Sequence, residues 1–251
     1  MASISNNEIK KVKSLQQKKF RDEYGLFVVE GEKMVDEAEM SGLMVEAKYF
    51  RSDIGQETMS RISSLTSPSP VLAVVRKPSD VYVKDTSELY ALLKKGGLFL
   101  GLDTIRDPGN LGTILRIADW FGIDAVFATR DTVDVFNPKV VQATMGAIFR
   151  VRMHYVDLQQ VSEMILAEGG KVYGTFLDGI NIYQRDLCTG ASQPVMIVIG
   201  NESEGISEAM SKLVSDRLYI PPYPADTPGS ESLNAAIATA LTVAEFRRRT
   251  V

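Results

Sequence analysis

Three polar, glycine-containing segments in the second half of the chain carry residues that could do chemistry. They span residues 107–112, 200–205 and 221–234, and each follows an apolar run that predicts a buried strand. In an open α/β sheet the ligand crevice lies outside the carboxyl ends of the strands. The three segments are therefore expected to converge on a single site.

The residues in these segments argue against several common kinds of site. Gly109 and Gly112 lack the spacing of the GxGxxG turn that binds dinucleotides, and the sequence contains no GxxxxGK[ST] phosphate loop. A single histidine, His154, disfavours a histidine-rich metal site and a Ser-His-Asp hydrolase. We expect His154 to be an ordinary residue at a strand edge, and we predict no metal.

The second half of the chain alternates apolar strands with helices, which predicts a mostly parallel sheet covered on both faces. A helix from about residue 111 has an apolar face whose packing Trp120 is expected to support, and Asn137–Pro138 should begin the next helix as N-cap and N1. In the last helix a core stripe is expected from Leu233, Ile237, Leu241 and Ala244. Predicted strands are 98–102, 125–128, 149–153, 172–176, 195–199 and 218–220.

The first half reads as a smaller α/β domain. It begins with a basic helix at residues 8–21, and strands are predicted at 25–29, 45–50 and 71–75. A polar stretch ending in Lys94-Lys95-Gly96-Gly97 predicts the domain boundary near Lys95. The expected division is therefore 1–95 and 96–251.

The three polar segments resemble the motifs of the SpoU/TrmH methyltransferases, a family of the SPOUT superfamily. DPGNLGTILR matches Asn-x-Gly-x-x-x-Arg, GNESEG matches Gly-x-Glu-x-x-Gly, and Ile-Pro followed by Ser-Leu-Asn matches the third motif. Three motifs in the right order, each after a strand, make a specific resemblance over residues 98–249. The matching residues are Asn110, Gly112, Arg116, Gly200, Glu202, Gly205, Ile220, Pro221, Ser232, Leu233 and Asn234.

Two other parts of the sequence bear on this resemblance: one extends it to the first half of the chain, and the other departs from the family pattern. FVVEGEKMVDEA in the first half is similar to the ribosomal-protein-like (L30e/L7Ae-like) substrate-binding domain that often precedes the catalytic domain. The third motif departs from the family pattern, because its loop is longer and Gly229 stands one residue nearer the serine. The main-chain positions that would hold a cofactor are therefore less secure in this loop than in the other two.

The resemblance implies a parallel sheet whose C-terminal segment forms a trefoil knot, a homodimer, and S-adenosylmethionine as cofactor. Physical rules alone would reject a knot. Catalytic roles fall on Arg116, Asn110, Glu202, Ser232 and Asn234, although helix capping is the simpler role for Asn110, Ser232 and Asn234. Arg116 is expected to clamp a phosphate and stabilise the emerging oxyanion. The cofactor would contact Thr175, Leu177, Gly200, Asn201, Gly205, Ile220 and Leu233.

The resemblance also gives meaning to local charge. The net charge of −4 argues against indiscriminate coating of nucleic acid. Basic residues nevertheless cluster at both ends of the chain, and RNA contacts are expected from Lys10, Lys11, Lys13, Lys18, Lys19 and Arg21, with the arginines at 247–249 as a second group. Solvated helix faces are the simpler interpretation of such runs.

The sequence thus predicts an RNA 2'-O-methyltransferase, with ribosomal RNA favoured over transfer RNA. One cysteine, Cys188, and the lack of an apolar leader or spanning segment favour the cytoplasm. Alternatives that stay open are a base-directed methyltransferase and a noncatalytic RNA-binding protein that keeps the fold. A nucleotide-dependent oxidoreductase is a weaker alternative, since it lacks the glycine fingerprint.

Overall fold

The computed structural model describes residues 4–83, 85–190, 192–224 and 232–250. The chain divides into two compact units, one of Met1–Ser79 with Asp134–Arg150 and one of Asp80–Val133 with Val151–Val251. The helices are α1 (Asn6–Ser14), α2 (Lys18–Tyr24), α3 (Glu32–Met40), α4 (Arg51–Ile54), α5 (Gln56–Ile62), α6 (Tyr90–Leu93), α7 (Pro108–Trp120), α8 (Pro138–Thr144), α9 (Leu158–Ala167), α10 (Glu208–Ser211) and α11 (Ala235–Arg248). The strands are β1 (Leu26–Glu30), β2 (Val45–Phe50), β3 (Val71–Arg76), β4 (Gly97–Leu102), β5 (Ala125–Ala128), β6 (Met153–Tyr155), β7 (Lys171–Asn181), β8 (Pro194–Ile199) and β9 (Asp216–Tyr219).

The first unit contains a three-stranded antiparallel sheet in the order β1-β3-β2. Ile9 and Val12 on α1 pack against its apolar face together with α5. The predicted basic helix is in fact two helices, because the helical conformation is interrupted between Ser14 and Lys18. Asn137 and Pro138 begin α8 as predicted, with the Asn137 side chain accepting a hydrogen bond from the Lys139 N–H.

The second unit contains a six-stranded, wholly parallel sheet in the order β6-β5-β4-β8-β7-β9. The central strands β4, β5 and β8 are apolar and almost entirely buried, as expected for a parallel sheet with both faces covered. The prediction of a mixed α/β fold with a parallel sheet is confirmed. The strand predicted at 149–153 lies later in the chain, at Met153–Tyr155, where buried His154 sits on the edge strand and contacts the Asp80 carbonyl at 2.9 Å.

The boundary between the units differs from the one expected near Lys95. Residues 80–95 belong to the second unit: the Thr86 hydroxyl donates to Gln160 at 2.7 Å, and Leu93 is fully buried in the core cluster around β5 and α9. Conversely, residues 134–150 return to the first unit, where Asp134 pairs with Arg21 and Phe136 packs on Phe27. A polar run marks a loop, but its packing decides which core it joins.

The expected core stripe of α11 is wrong. Ile237 and Leu241 are 51% and 40% exposed, whereas Ala236, Val243 and Phe246 are buried. Trp120 at the end of α7 is 85% exposed and does not support the packing of that helix. Periodicity located an apolar stripe on α11, but this stripe faces solvent, and a second face, on which Phe246 packs against Tyr173 of β7, meets the sheet.

Candidate functional site

The three motif-bearing loops follow β4, β8 and β9, whose carboxyl ends lie at one edge of the parallel sheet. Leu102 and Ile199, the last residues of β4 and β8, are register partners, and Thr175 in β7 is the partner of Leu218 in β9. This topology brings residues 107–112 to the same place as residues 200–205 and 221–234, which agrees with the expected position of the ligand crevice.

The Asn110 side chain joins all three loops. Its Nδ2 donates to Glu202 Oε1 at 2.8 Å, and its Oδ1 accepts a hydrogen bond from Asn234 Nδ2 at 2.8 Å. Asn110 is 8% exposed, whereas Glu202 and Asn234 reach solvent. One buried amide therefore orients a carboxylate on one side and a second amide on the other.

Asn110 is not the cap of its helix, contrary to the simpler expectation. The N-cap is Asp107, whose Oδ1 accepts the Asn110 N–H at 2.7 Å, and Pro108 occupies the first helical position. The Asp-Pro pair could have been found in the sequence by the rule that located Asn137–Pro138. Because Asp107 takes the capping role, the Asn110 side chain is free to bridge the loops.

The second loop is a tight turn held by Asn201. Its Oδ1 accepts the N–H groups of Ser203 and Glu204, and its Nδ2 donates to the Thr104 carbonyl at 2.8 Å. A Cβ on Gly200 would lie 2.2 Å from the Gly205 carbonyl carbon, and Gly205 has φ of +71°. The Asn201 side chain is thus committed to the turn, so only its main chain could contact a ligand.

The third loop contributes Asn234 through the cap of α11. Its Oδ1 accepts the N–H groups of Ala236 and Ile237 at 3.0 and 3.2 Å, which confirms the capping prediction. Ser232 is exposed and makes no hydrogen bond to a described residue, so a capping role for it is wrong. Gly229, where the loop departs from the family pattern, lies outside the described residues.

Arg116 stands apart from the Asn110 cluster. It is six residues further along α7, about 9 Å along the helix axis, and its side chain is exposed. The guanidinium makes no hydrogen bond or ion pair with any residue that the structure describes. Glu202 contacts Asn110 and not Arg116.

The expected cofactor-binding positions lie along the same sheet edge. Thr175 is half-buried in β7 with its hydroxyl 3.5 Å from the Val198 carbonyl, and Leu177 is 67% exposed. The N–H groups of Gly200, Ile220 and Leu233 donate to no acceptor within the described part of the chain. Main-chain donors without partners beside a strand-end crevice fit a polar ligand such as S-adenosylmethionine, which carries an amino-acid moiety and a purine.

Most of the expected RNA-contacting lysines are exposed on the first unit. Lys10, Lys11, Lys13 and Lys19 point to solvent, and Lys18 forms an exposed pair with Asp22. Arg21 does not belong with them, because it is 2% exposed and donates to Asp134, Leu15 and Gln16. With Asp134 it forms a buried ion pair that joins two segments of the chain. Its position in a run of basic residues gave no sign of this structural role.

The arginines at 247–249 are also engaged within the protein. Arg247 Nε donates to the Phe121 carbonyl at 2.8 Å, and Arg249 donates to Glu245 and to carbonyl groups of residues 182–185. Arg248 pairs with Glu245 at 2.8 Å, and the hydrogen bond from Arg248 is the main reason that the pKa of Glu245 falls to about 2. These residues hold α11 in place and are poor candidates for RNA contacts.

In the described ranges of the chain, no group of three or more His, Cys, Asp or Glu residues is placed to hold a metal ion. Within the same ranges, none of the helices combines the length and the apolar character needed to cross a membrane.

Family models match most of the chain. The SpoU rRNA Methylase family matches residues 97–244, and an MRM3-like substrate binding domain matches residues 6–77. The 23S rRNA (guanosine(2553)-2'-O)-methyltransferase RlmP of Bacillus subtilis is 30% identical, with 98% of both chains covered. Human mitochondrial rRNA methyltransferase 3 is 28% identical over 92% of this chain and 69% of its own length.

A solved structure agrees with these relatives. The rRNA methyltransferase of Sinorhizobium meliloti, determined with bound S-adenosylmethionine, superimposes with a TM-score of 0.85 at 27% sequence identity. The match covers 99% of this chain and 98% of that structure. The architecture, the order of the motifs and the cluster around Asn110 thus agree with the family match.

Proposed function

The chain belongs to the SpoU rRNA methylase family, and we propose that it methylates a ribose 2'-hydroxyl of ribosomal RNA with S-adenosylmethionine as methyl donor. The observation that carries the proposal is the hydrogen-bonded set Glu202–Asn110–Asn234, which ties the three motif loops together at the strand ends. The names of its relatives support ribosomal RNA as the substrate class.

The cofactor supplies an electrophilic methyl group on sulfur. We propose that the main-chain groups of Thr175, Leu177, Gly200, Ile220 and Leu233 hold it, with the turn of Asn201 and Gly205 shaping the loop. Gly200 matters because any side chain there would collide with the turn and displace its main chain. The family's trefoil knot remains our expectation for how these loops are threaded.

The protein's own contribution to methyl transfer is placement and charge stabilisation. The ribose oxygen must approach in line and lose a proton, and a well-placed donor stabilises the charge that develops on it. We propose that Arg116, with its unpartnered guanidinium, binds the phosphate beside the target ribose and stabilises this oxygen. Its partner is then the RNA, which explains why it meets no described residue of its own chain.

The other polar residues serve this placement. Glu202 accepts a hydrogen bond from Asn110, and Asn110 accepts one from Asn234, so the three side chains are held in fixed positions relative to one another. We propose that this set fixes the wall of the site against which the target nucleotide lies, with Ser232 exposed beside it. The first unit, whose residues 6–77 match a substrate-binding domain, would hold the surrounding RNA through its exposed lysines.

We also propose that the chain forms a homodimer. α7 and α11 lie side by side and parallel, since Asn110 meets Asn234 at one end and Arg247 meets the Phe121 carbonyl at the other. Trp120, Ile237 and Leu241 are 85%, 51% and 40% exposed, so each helix of this pair directs large apolar side chains to solvent. Large exposed apolar patches mark interaction sites.

Light scattering on wild type and Leu241→Glu tests the dimer. We expect a dimer that dissociates in the variant, because a carboxylate would be buried in an apolar interface. Met40→Glu is the matched control, since Met40 is 77% exposed on the other unit and the change adds the same charge. A monomeric wild-type protein would contradict the proposal.

Transfer of radiolabelled methyl from S-adenosylmethionine to total RNA of a strain lacking the protein tests the function. Label recovered as a 2'-O-methyl nucleoside in ribosomal RNA, and absent with Arg116→Ala, is the expected result. Label recovered in transfer RNA would make transfer RNA the substrate in place of ribosomal RNA. Label recovered on a base would make the base, and not the ribose, the methylated group. Cofactor and RNA binding without transfer to any RNA fraction would favour a noncatalytic RNA-binding protein. Because ribosomal RNA is the proposed substrate, the compartment we propose is the cytoplasm.

A further inference from the structure

Two aromatic rings on α2 form a stacked pair at the surface of the first unit. The centroids of Phe20 and Tyr24 are 6.1 Å apart with 19° between the ring planes. Tyr24 is 36% exposed. Long lysine side chains lie over the rings, with Lys11 Nζ 5.4 Å from the Tyr24 centroid and Lys19 Nζ 5.7 Å from that of Phe20.

The charge around these rings is positive. Lys10, Lys11, Lys13 and Lys19 are exposed and form no salt bridge with any residue in the described ranges. The carboxylates on the two helices are mostly engaged: Glu8 hydrogen-bonds to Ser5 in the cap of α1, and Asp22 pairs with lysines at 2.6 Å. Glu23 is the remaining acidic residue on α2, and the two lysines that lie over the rings, Lys11 and Lys19, have no salt-bridge partner among the described residues.

We propose that Tyr24, backed by Phe20, is a stacking platform for an unpaired base of the RNA substrate, with Lys11 and Lys19 on the flanking phosphates. This inference rests on the proposed function and deepens it. Every base presents a π face, so an aromatic ring inside a basic surface binds single-stranded RNA with little sequence preference. The flexible lysines can move from the rings to phosphates when a base takes their place.

A matched pair of probes isolates stacking from charge. The first is a fluorescein-labelled oligoadenylate, and the second is an abasic ribose-phosphate oligomer of the same length and label, which carries the same charge without bases. We expect the full chain to bind oligoadenylate at least about fivefold more tightly than the abasic oligomer, as expected for one stacked base. Tyr24→Ala should abolish this preference and leave the affinity for the abasic oligomer unchanged.

Further variants separate stacking from damage to the fold. Tyr24→Phe keeps the ring and should retain the preference, whereas Lys11→Gln should weaken binding to both probes and lower the salt dependence. Tyr90→Ala is the control, because Tyr90 is another exposed tyrosine with a lysine, Lys94, 5.8 Å from its ring centroid. Tyr90 also hydrogen-bonds Glu168 and lies in the other unit, so its loss should change neither affinity.

The proposal is wrong if wild type binds both oligomers equally, or if Tyr24→Ala keeps the preference. These binding measurements need no methyl transfer, so they can succeed even if the protein proves to lack transferase activity. For the working enzyme, Tyr24→Ala should raise KM for RNA by a similar factor and leave kcat unchanged. A fall in kcat at unchanged KM would contradict a binding platform.

Discussion

Replacing Asn110 by alanine should disrupt the junction of the three motif loops. The change removes a hydrogen bond to the Glu202 carboxylate at 2.8 Å and one from the Asn234 amide at 2.8 Å. Bonds to a charged group contribute about 1.5–3 kcal/mol and neutral ones about 0.5–1.5 kcal/mol. Since Glu202 and Asn234 reach solvent, water can replace part of this, and we expect a loss of about 2 kcal/mol in unfolding free energy.

The effect on methyl transfer should exceed the effect on stability. Displacement of residues that position a substrate by about 1 Å can reduce the rate by about a hundredfold. Because Glu202 and Asn234 would lose their shared partner, we expect kcat/KM of Asn110→Ala to fall by about that factor. Asn137→Ala is the matched control: Asn137 caps α8 in the other unit, so its loss should cost about 1 kcal/mol without slowing transfer. Thermal melts and single-turnover transfer measure the two quantities.

An isosteric change sharpens the test. Asn110→Asp keeps the shape but sets a second carboxylate against Glu202, where the amide had donated. Like charges at this distance raise a carboxyl pKa, and the protonated form can again donate. The activity lost at neutral pH should therefore partly return as the pH falls, unlike that of Asn110→Ala. Wild-type kcat/KM in Asn110→Ala would refute the reasoning.

Three further changes test other parts of the molecule. Arg116→Lys should lose at least about tenfold in kcat/KM, because an ammonium cannot bind a phosphate through two parallel bonds; near-normal activity would exclude that clamp. Gly200→Ala should weaken S-adenosylmethionine binding by at least about tenfold in calorimetry, since its Cβ would stand 2.2 Å from the Gly205 backbone; unchanged affinity would remove this turn from the cofactor site. Glu245 has a folded pKa of about 2, below its unfolded value of 4.5, so it stabilises the fold above pH 4.5 and this contribution disappears as the pH falls toward 2. Glu245→Gln should therefore lose about 1–2 kcal/mol at pH 7, allowing for solvent around Arg248, and the gap to wild type in urea denaturation should close in acid; a constant gap would contradict the pKa.

Much of the structure of the second unit could be inferred from the sequence. Runs such as those of β4 and β8 are continuously apolar because both faces of a parallel sheet are buried, and this pattern survives without any tertiary information. The loops after these strands were identified because strand ends in such a sheet share one edge. The cap of α11 by Asn234 followed equally from local chemistry.

Partners that are distant in sequence could not be inferred in this way. Arg21 stands in a run of cations, yet its partner Asp134 is 113 residues away, and only folding shows that the pair is buried. Asn110 looked like a cap because its type suits one; the structure gives the cap to Asp107 and turns Asn110 toward Glu202. Residue type limits what a side chain can bind, whereas the tertiary structure selects the partner.

The sequence by itself determined the fold class, the family and the three loops, because these depend on periodicity and local spacing. Only the tertiary structure decided which side of α11 meets the sheet, leaving Ile237 and Leu241 in solvent, and which unit residues 80–95 join. The physical reason is that an apolar stripe records a preference for burial without naming the surface that covers it. That surface comes from other elements of the fold, which local periodicity does not specify.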